Sequence, residues 1–337
     1  MLAAAARPTR TIVPALLAVC LAAGCSMKQT SPAQTCDSGG VNLIAFASDR
    51  GHHGQYDVYL YDIDGVGYRL LRNLNSSVVS DSSPVLSADN QLVAFVSARG
   101  ATGSDILLYE RDVCGFVNTP GLNTAGDETE PAFSGDISRL AFVRDTMNLG
   151  TPHRRIRVID ATGSALALVP MPGLDTLAAF DDWSPAPDQT AGNIVFDSDR
   201  EGTAHLYRYQ RSSRGIDSLL YLRGADGIDI EPAVTPDLHF LCFASNRASG
   251  SGGFDLYLFD LNARSPVALP AGVNTAGDER HPAINAAGDV IAYQSRTSAS
   301  APWNVRYAFL HASPPAISTI SRIDSTASDV QPSLVFP

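Results

Sequence analysis

The sequence predicts an all-β fold, a six-bladed β-propeller with four-stranded blades. Six copies of a short phrase, in which an acidic residue lies three positions ahead of a proline, recur about every 50 residues along the chain of 337 residues. A repeat of that length is typical of one supersecondary unit copied around a ring. The phrase occurs at Asp81/Pro84, Glu128/Pro131, Asp182/Pro185, Asp229/Pro232, Glu279/Pro282 and Asp329/Pro332.

Each copy supplies its strands in the same order. A turn rich in Asp, Asn and Gly follows the proline, and then comes a short apolar run that ends in an aromatic residue, as in Leu92-Val93-Ala94-Phe95. A Ser-x-Arg phrase such as Ser97-Ala98-Arg99 and an Asp-led run such as Asp105-Ile106-Leu107-Leu108-Tyr109 complete the unit. Short, evenly spaced β-type runs between turn residues predict strands.

The two ends of the repeat array predict how the ring closes. The first β-type run starts at Val41, in the position of a second strand, whereas the last copy of the phrase, residues 329–336, stands alone. We expect this C-terminal strand to join the N-terminal blade, because closure removes exposed sheet edges. The expected propeller covers residues 41–337.

Residues 1–24 are expected to be a lipoprotein signal peptide. Arg7 and Arg10 give it a positive start, and the apolar stretch that follows is too short to span a bilayer. The stretch ends in Leu21-Ala22-Ala23-Gly24-Cys25, which resembles a bacterial lipobox and makes Cys25 the expected lipidation site. An ordinary cleaved signal peptide is the alternative. Residues 25–40 are rich in small and polar residues and are predicted to be a flexible tether.

Three further cysteines lie in or near the predicted propeller. Cys36 and Cys114 flank strands of blades that should be neighbours, so a disulfide between them is one interpretation in an oxidising compartment. Two free thiols are the other. Cys242 lies within an apolar run and is expected to be a small core residue.

The six acids of the repeated phrase form the first candidate binding set. We expect the innermost strand of each blade to follow the loop that carries the acid, so that the carboxylates gather at one mouth of the central channel. There they would bind a cation or a basic segment of a partner, since like charges at close range need neutralisation. The alternative is that each acid caps its own loop or pairs with the arginine of a Ser-x-Arg phrase. The set comprises Asp81, Glu128, Asp182, Asp229, Glu279 and Asp329.

Two identical loops form the second candidate. The sequence Asn-Thr-Ala-Gly-Asp-Glu occurs at residues 123–128 and again at 274–279, three repeats later. In a six-bladed ring these loops face each other across the axis, where they would suit a pseudo-symmetric ligand. The alternative is a turn retained from an ancestral duplication. The residues expected to contribute are Asn123, Asp127, Asn274 and Asp278.

The sequence carries no catalytic or metal-binding motif. None of the seven histidines has the spacing of an H-E-x-x-H site, and no G-x-S-x-G elbow or phosphate-binding loop occurs. We therefore predict no catalytic residues, no metal and no cofactor. A cluster of histidines formed only in three dimensions, as in some propeller lyases, is left open.

The D-x-x-P, S-x-R and D-[IVL]-Y-L phrases resemble those of TolB-like six-bladed propellers with WD-like repeats. The resemblance covers roughly residues 41–337. Family members look like a propeller preceded by a separate α/β domain, whereas here only residues 26–40 separate Cys25 from the first predicted strand. The partners of that family are therefore not carried over.

The anchor, the repeats and the missing catalytic motifs together favour a binding protein of the bacterial cell envelope. We expect it to bind a protein or peptide through its channel mouth, with the membrane reached through the N-terminal lipid. By resemblance to lipoproteins, Ser26 after the lipobox cysteine suggests the outer membrane, with the propeller facing the periplasm. A formal net charge of −11 argues against nucleic acid as a partner. The alternatives are a carbohydrate-active, lyase-like enzyme and a structural lipoprotein of envelope assembly.

Overall fold

The computed structural model of the protein describes most of the chain from residue 36 onward. The described residues are 36–37, 39–52, 54–100, 103–148, 151–162, 166–174, 179–224, 226–312, 316–320 and 326–335. The predicted signal peptide, Cys25 and residues 26–35 of the predicted tether lie outside them. Residues Cys36–Pro337 form one compact unit.

Six antiparallel four-stranded sheets make up this unit, and each is one propeller blade. The first strands are Asp81–Leu86 (β4), Glu128–Phe133 (β8), Asp182–Pro187 (β12), Asp229–Val234 (β16), Asp278–Ile284 (β20) and Asp329–Val335 (β24). The second strands are Leu43–His52 (β1), Leu92–Ser97 (β5), Arg139–Asn148 (β9), Asn193–Ser198 (β13), Phe240–Ser245 (β17) and Val290–Arg296 (β21). The third strands are Gln55–Asp62 (β2), Asp105–Glu110 (β6), Thr151–Asp160 (β10), His205–Gln210 (β14), Asp255–Asp260 (β18) and Asn304–Phe309 (β22). The outer strands are Gly67–Arg69 (β3), Gly115–Val117 (β7), Ala167–Leu168 (β11), Gly215–Ser218 (β15), Ser265–Val267 (β19) and Ala316–Thr319 (β23), and one 3-10 turn spans Leu220–Leu222.

The first strands contact one another in sequence around a closed ring. Strand β24 pairs with β1, so the sheet of the first blade has the order β24-β1-β2-β3 and combines the two ends of the described chain. This arrangement confirms the predicted all-β, six-bladed propeller and its closure by the C-terminal strand.

The core lies between the blades. Six clusters of buried apolar residues occur, one at each junction of neighbouring blades. Strand β1 shows why: Leu43 and Ala45 pack towards the second blade, whereas Ile44 and Phe46 pack towards the sixth. A strand that is buried on both faces reads as a continuous apolar run, which is the pattern of every second strand. Cys242 belongs to one of these clusters and is fully buried.

Residues 36, 37, 39 and 40, which the sequence assigned to the tether, belong to the compact unit. Within the described ranges, no helix has the length and apolar character needed to cross a bilayer.

Candidate functional site

Each of the six repeated acids is buried at the beginning of a first strand. Their exposed fractions are all 2% or less. Asp81, Glu128, Asp182, Asp229 and Asp329 each form an ion pair with an arginine. The arginine partners, in the same order, are Arg99, Arg144, Arg200, Arg247 and Arg50.

The sixth blade differs in its ion pair. Glu279 accepts hydrogen bonds from the hydroxyls of Ser295 and Thr275, at 2.9 and 2.7 Å, and Arg296 pairs with the preceding Asp278 instead. The third blade, whose Ser-x-Arg phrase is missing, keeps the pair because Arg144 lies directly opposite Glu128 across β8 and β9. All six carboxylates therefore have a partner within their own blade. This is the kind of arrangement described by the alternative interpretation, in which each acid caps its own loop or pairs with an arginine.

The paired arginines also lie over the aromatic residue that ends each apolar run. The Arg50 guanidinium lies 5.1 Å from the ring centre of Phe46, and Arg247 lies 5.4 Å from that of Phe243. A guanidinium held between a carboxylate and aromatic rings keeps both hydrogen bonding and cation–π attraction. In five blades the repeated acid, aromatic and Arg positions thus form one packing unit, whereas in the sixth blade Arg296 lies over Trp303 instead.

The six acids do not line the central channel; a different set of residues does. A cavity of about 470 Å³ runs along the axis, and its walls are the first strands with their six repeat prolines. The residue just before each of these prolines has a positive φ, between 47° and 56°. These residues are Ser83, Glu130, Ser184, Glu231, His281 and Gln331.

A bulge in every first strand produces this ring. In the second blade, Ser82 is opposite Val96 and Val85 is opposite Ala94, so Ser83 and Pro84 together face a single residue of β5. The extra residue leaves the ladder, and its backbone N–H is free to bond elsewhere.

Side chains from neighbouring blades accept these N–H groups. Five such bonds link the described blades, and each joins one blade to the next. The Glu130 carboxylate accepts from Ser184, Asp197 from Glu231 at 3.1 Å, Glu231 from His281 at 2.8 Å, Gln294 from Gln331 at 2.8 Å, and Gln331 from Ser83 at 2.9 Å. The ring thereby forms the floor of the cavity and ties the blades together.

Acidic groups concentrate on one side of this floor: Glu130 and Glu231 line the cavity, and Asp197, which accepts the Glu231 N–H, is buried beside them outside the lining. Burial, together with the nearby Glu130 carboxylate, raises the pKa of Asp197 to about 8. Burial also raises the pKa of Glu130, with the Glu231 carboxylate acting in the same direction. Glu231 itself is paired with Arg280 and lies 3.0 Å from Nε2 of His281. Burial lowers the pKa of His281, and the Glu231 carboxylate acts in the opposite direction.

The cavity opens at the opposite end from this floor. Ala88, Gly135, Pro236 and Ala286, in the turns that follow the first strands, line that end. The walls between floor and mouth are mainly proline and alanine, which offer few polar groups. The channel therefore combines an apolar wall with an acidic floor.

The two identical loops form identical bonds. Asn123 bonds the backbone N–H and C=O of Ile106, and Asn274 does the same with Leu256, all four bonds measuring 2.9 Å. Asp127 accepts from the Ser104 N–H, and the corresponding Asp278 accepts from Phe254 N–H at 3.0 Å. Asn75 forms the same two hydrogen bonds with the backbone N–H and C=O of Val58, although the sequence around Asn75 differs. The side-chain amides are thus used within the blades.

Cys36 and Cys114 are joined by a disulfide, with their Cα atoms 5.5 Å apart. No group of three His, Cys, Asp or Glu side chains able to hold a metal ion occurs among the residues that the structure describes. Of the described histidines, His281 is the one that lines the channel.

The channel residues were missed in the sequence, although a signal was present. The position before the repeat proline is polar in all six copies, being Ser, Glu, Ser, Glu, His and Gln. The acidic character and the proline of the phrase are constant, whereas the identity of the polar residue before the proline varies, so the repeat itself does not mark that position as a site.

Fold and channel together define a closed six-bladed β-propeller with an axial cavity. No protein-family model matches the sequence, and no match is found among curated proteins. Solved structures do share the fold. TolB from Acinetobacter baumannii is 18% identical with a TM-score of 0.63, over 87% of this chain and 66% of that chain. A putative TolB from Agrobacterium tumefaciens is 15% identical with a TM-score of 0.58, over 86% of this chain and 98% of that one.

An oligogalacturonate lyase in complex with manganese is also similar, with 12% identity and a TM-score of 0.52 over 84% of this chain and 74% of that one. At these identities the likeness concerns the fold alone. The protein is a TolB-like six-bladed propeller in fold, and a fold shared by proteins of such different names does not decide function.

Proposed function

We propose that this chain is a lipid-anchored propeller of the bacterial cell envelope that binds a basic segment of another envelope protein in its central channel. The observation that carries the proposal is the acidic floor of a largely apolar axial cavity. The anchor rests on the lipobox-like sequence ending at Cys25, and the outer membrane facing the periplasm is the proposed location.

The cavity has the size and lining of a ligand site. Its volume of about 470 Å³ lies within the range of roughly 300–1,000 Å³ that is common for binding pockets. An apolar wall with polar groups at one end favours a narrow segment that enters with its charged end first. The six prolines line the wall without backbone N–H groups, so main-chain pairing along the wall is restricted.

The floor chemistry favours a cation. Asp197 and Glu130 accept hydrogen bonds from backbone N–H groups, and burial, with a neighbouring carboxylate acting in the same direction, raises the pKa of each. A lysine, arginine or terminal amine that reaches them would restore the charged form, because an opposite charge nearby lowers a carboxyl pKa. Binding should therefore release protons and tighten as the pH rises from 6 to 8.

Peptide binding tests the proposal directly. Isothermal titration with hexapeptides that carry one lysine, and with counterparts in which norleucine replaces lysine, should show binding of the lysine series alone. We expect Glu130→Gln to weaken binding by at least tenfold, as for the loss of one charged contact. Glu201→Gln, which removes an equal charge from an exposed site paired with Arg223, is the matched control and should bind like wild type. Equal binding of the norleucine peptides would contradict the proposal.

A binding role for the six repeated acids stays a prediction. Crosslinking from intact envelopes, with wild type beside a variant that has all six acids as amides, distinguishes the two roles. Loss of partners from a folded variant would favour binding by the acids, whereas unfolding would favour their role in the ion pairs. A partner that is absent even with wild type would favour a structural lipoprotein. The anchor is tested separately, since Cys25→Ala should move the chain out of the membrane fraction.

A carbohydrate-active enzyme is the second candidate. The contact between Glu231 and His281, beside the raised pKa of Asp197, is the kind of perturbed cluster that also occurs in active sites. We expect no cleavage of acidic oligosaccharides in an assay of new reducing ends. Turnover that is lost in His281→Gln would favour the enzyme instead.

A further inference from the structure

The first described residues of the chain lie on the face where the channel opens. The side chain of Asn90 donates to the Val41 carbonyl at 2.8 Å. Asn90 belongs to the turn between β4 and β5, and Ala88 of the same turn lines the cavity mouth. The N-terminal segment therefore reaches the propeller beside the channel mouth.

Two features hold the segment there. Arg111, which is 1% exposed, donates to the Asp37 and Gly39 carbonyls at 3.1 and 2.7 Å, and also to the Asn90 carbonyl at 2.6 Å. The disulfide from Cys36 to Cys114 adds a covalent link to the turn between β6 and β7. The chain therefore leaves the propeller at Cys36, at a defined place on this face.

Exposed valines surround that place. Val41 is 56% exposed, Val66 75% and Val113 47%, and the last two lie in the equivalent turns of the first and second blades. The equivalent turns of the fourth and fifth blades carry exposed arginines instead, Arg214 and Arg264. The apolar turns thus coincide with the sector where the chain leaves.

We propose that the face on which the channel opens is turned towards the lipid surface, with Val41, Val66 and Val113 lying against it. This orientation rests on the proposed anchor at Cys25. Residues 26–35 then connect the lipid to the disulfide, and a flexible segment of that length spans roughly 18 Å. A six-residue strand alone rises about 20 Å, so contact of the opposite face with the lipid would require this segment to stretch beyond its average length.

The chemistry of this surface defines the lipids it suits. Asp64 and Asp112 lie in the same turns as Val66 and Val113, so the sector of the face around these valines would repel an anionic surface. The lipid surface that suits this sector is therefore a zwitterionic one. A segment that enters the channel must then come from the membrane side, carried by a component of the same membrane.

Energy transfer from the two faces to labelled lipid tests the orientation. Ala263→Cys lies on the channel-mouth face and Ala248→Cys on the opposite face, at the two ends of β18, and both positions are exposed. The full lipid-modified chain, with a donor dye at one of these cysteines, is placed in phosphatidylcholine vesicles with a headgroup acceptor. We expect transfer at position 263 to exceed that at 248 by about twofold or more, given the rise of the strand between them.

Three outcomes would overturn the inference. These are equal transfer at the two positions, greater transfer at position 248, and a twofold difference that is unchanged in a Val66→Ser, Val113→Ser variant. A chain that does not stay with the vesicles would overturn both the anchor and the orientation. The peptide titration needs no membrane, so failure of channel binding is distinguishable from failure of the orientation.

Discussion

Asp197→Asn should become more stable relative to wild type as the pH rises. The carboxyl of Asp197 is 4% exposed, accepts the Glu231 N–H, and has its pKa raised from 3.8 to about 8 by burial and by Glu130. The folded state therefore binds a proton that the unfolded state releases between about pH 4 and pH 8. The free energy of unfolding contributed by this group falls as the pH rises through that window and levels off above it.

The magnitude follows from the linkage relation. One proton changes the free energy of unfolding by about 1.4 kcal/mol per pH unit, which gives about 3 kcal/mol between pH 5 and pH 7. Asparagine keeps the acceptor for the Glu231 N–H and cannot ionise. Between pH 5 and pH 7, the free energy of unfolding of the variant should therefore rise relative to that of wild type by about 3 kcal/mol.

Urea unfolding followed by tryptophan fluorescence at pH 5, 6, 7 and 8 measures this difference. Asp62→Asn is the matched control, because hydrogen bonds from Gly65 and Arg69 lower the pKa of Asp62 despite its burial. Asp62 stabilises the fold above its unfolded pKa, and that contribution is lost as the pH falls. A difference between Asp197→Asn and wild type that does not change with pH would refute the reasoning about the channel floor.

Two further predictions concern how the ring is held. Arg50→Met should lower the free energy of unfolding by about 3–5 kcal/mol in urea, because it leaves the carboxylate of Asp329 buried without its partner. Replacing Cys36 and Cys114 together by serine should lower it by about 4 kcal/mol, since the disulfide closes a loop with a sequence separation of 78.

Each of these has a control. Arg208→Met removes an arginine from a more exposed pair with Asp217 and should change the free energy of unfolding by less than about 1 kcal/mol. A loss of similar size in Arg208→Met and Arg50→Met would contradict the importance of the ring-closing pair. For the disulfide, wild type in reducing buffer should match the double serine variant, and an unchanged wild type would contradict the prediction.

The architecture was predictable from the sequence because every blade repeats the same local sequence pattern. The acid, the proline, the turn and the apolar run ending in an aromatic recur in fixed order, and each depends on neighbours within one blade. Closure was also predictable, since the unpaired copy at Asp329 completes the blade that starts near Val41. Backbone pairing and apolar burial are local or periodic properties, and a sequence displays them directly.

The channel floor was decided by the tertiary structure. Asp197 comes from a second strand, whereas Glu130 and Glu231 come from the first strands of the two neighbouring blades. Their proximity requires three blades to pack around one axis, and no spacing in the chain records it. The placement of the six acids was also decided by the tertiary structure. Their sequence pattern is compatible both with carboxylates at a channel mouth and with carboxylates in buried ion pairs. Which of these arises depends on where the arginine packs; for Arg50 the packing is set by Phe46 of the same strand together with Tyr59 and Tyr68 of the next two strands.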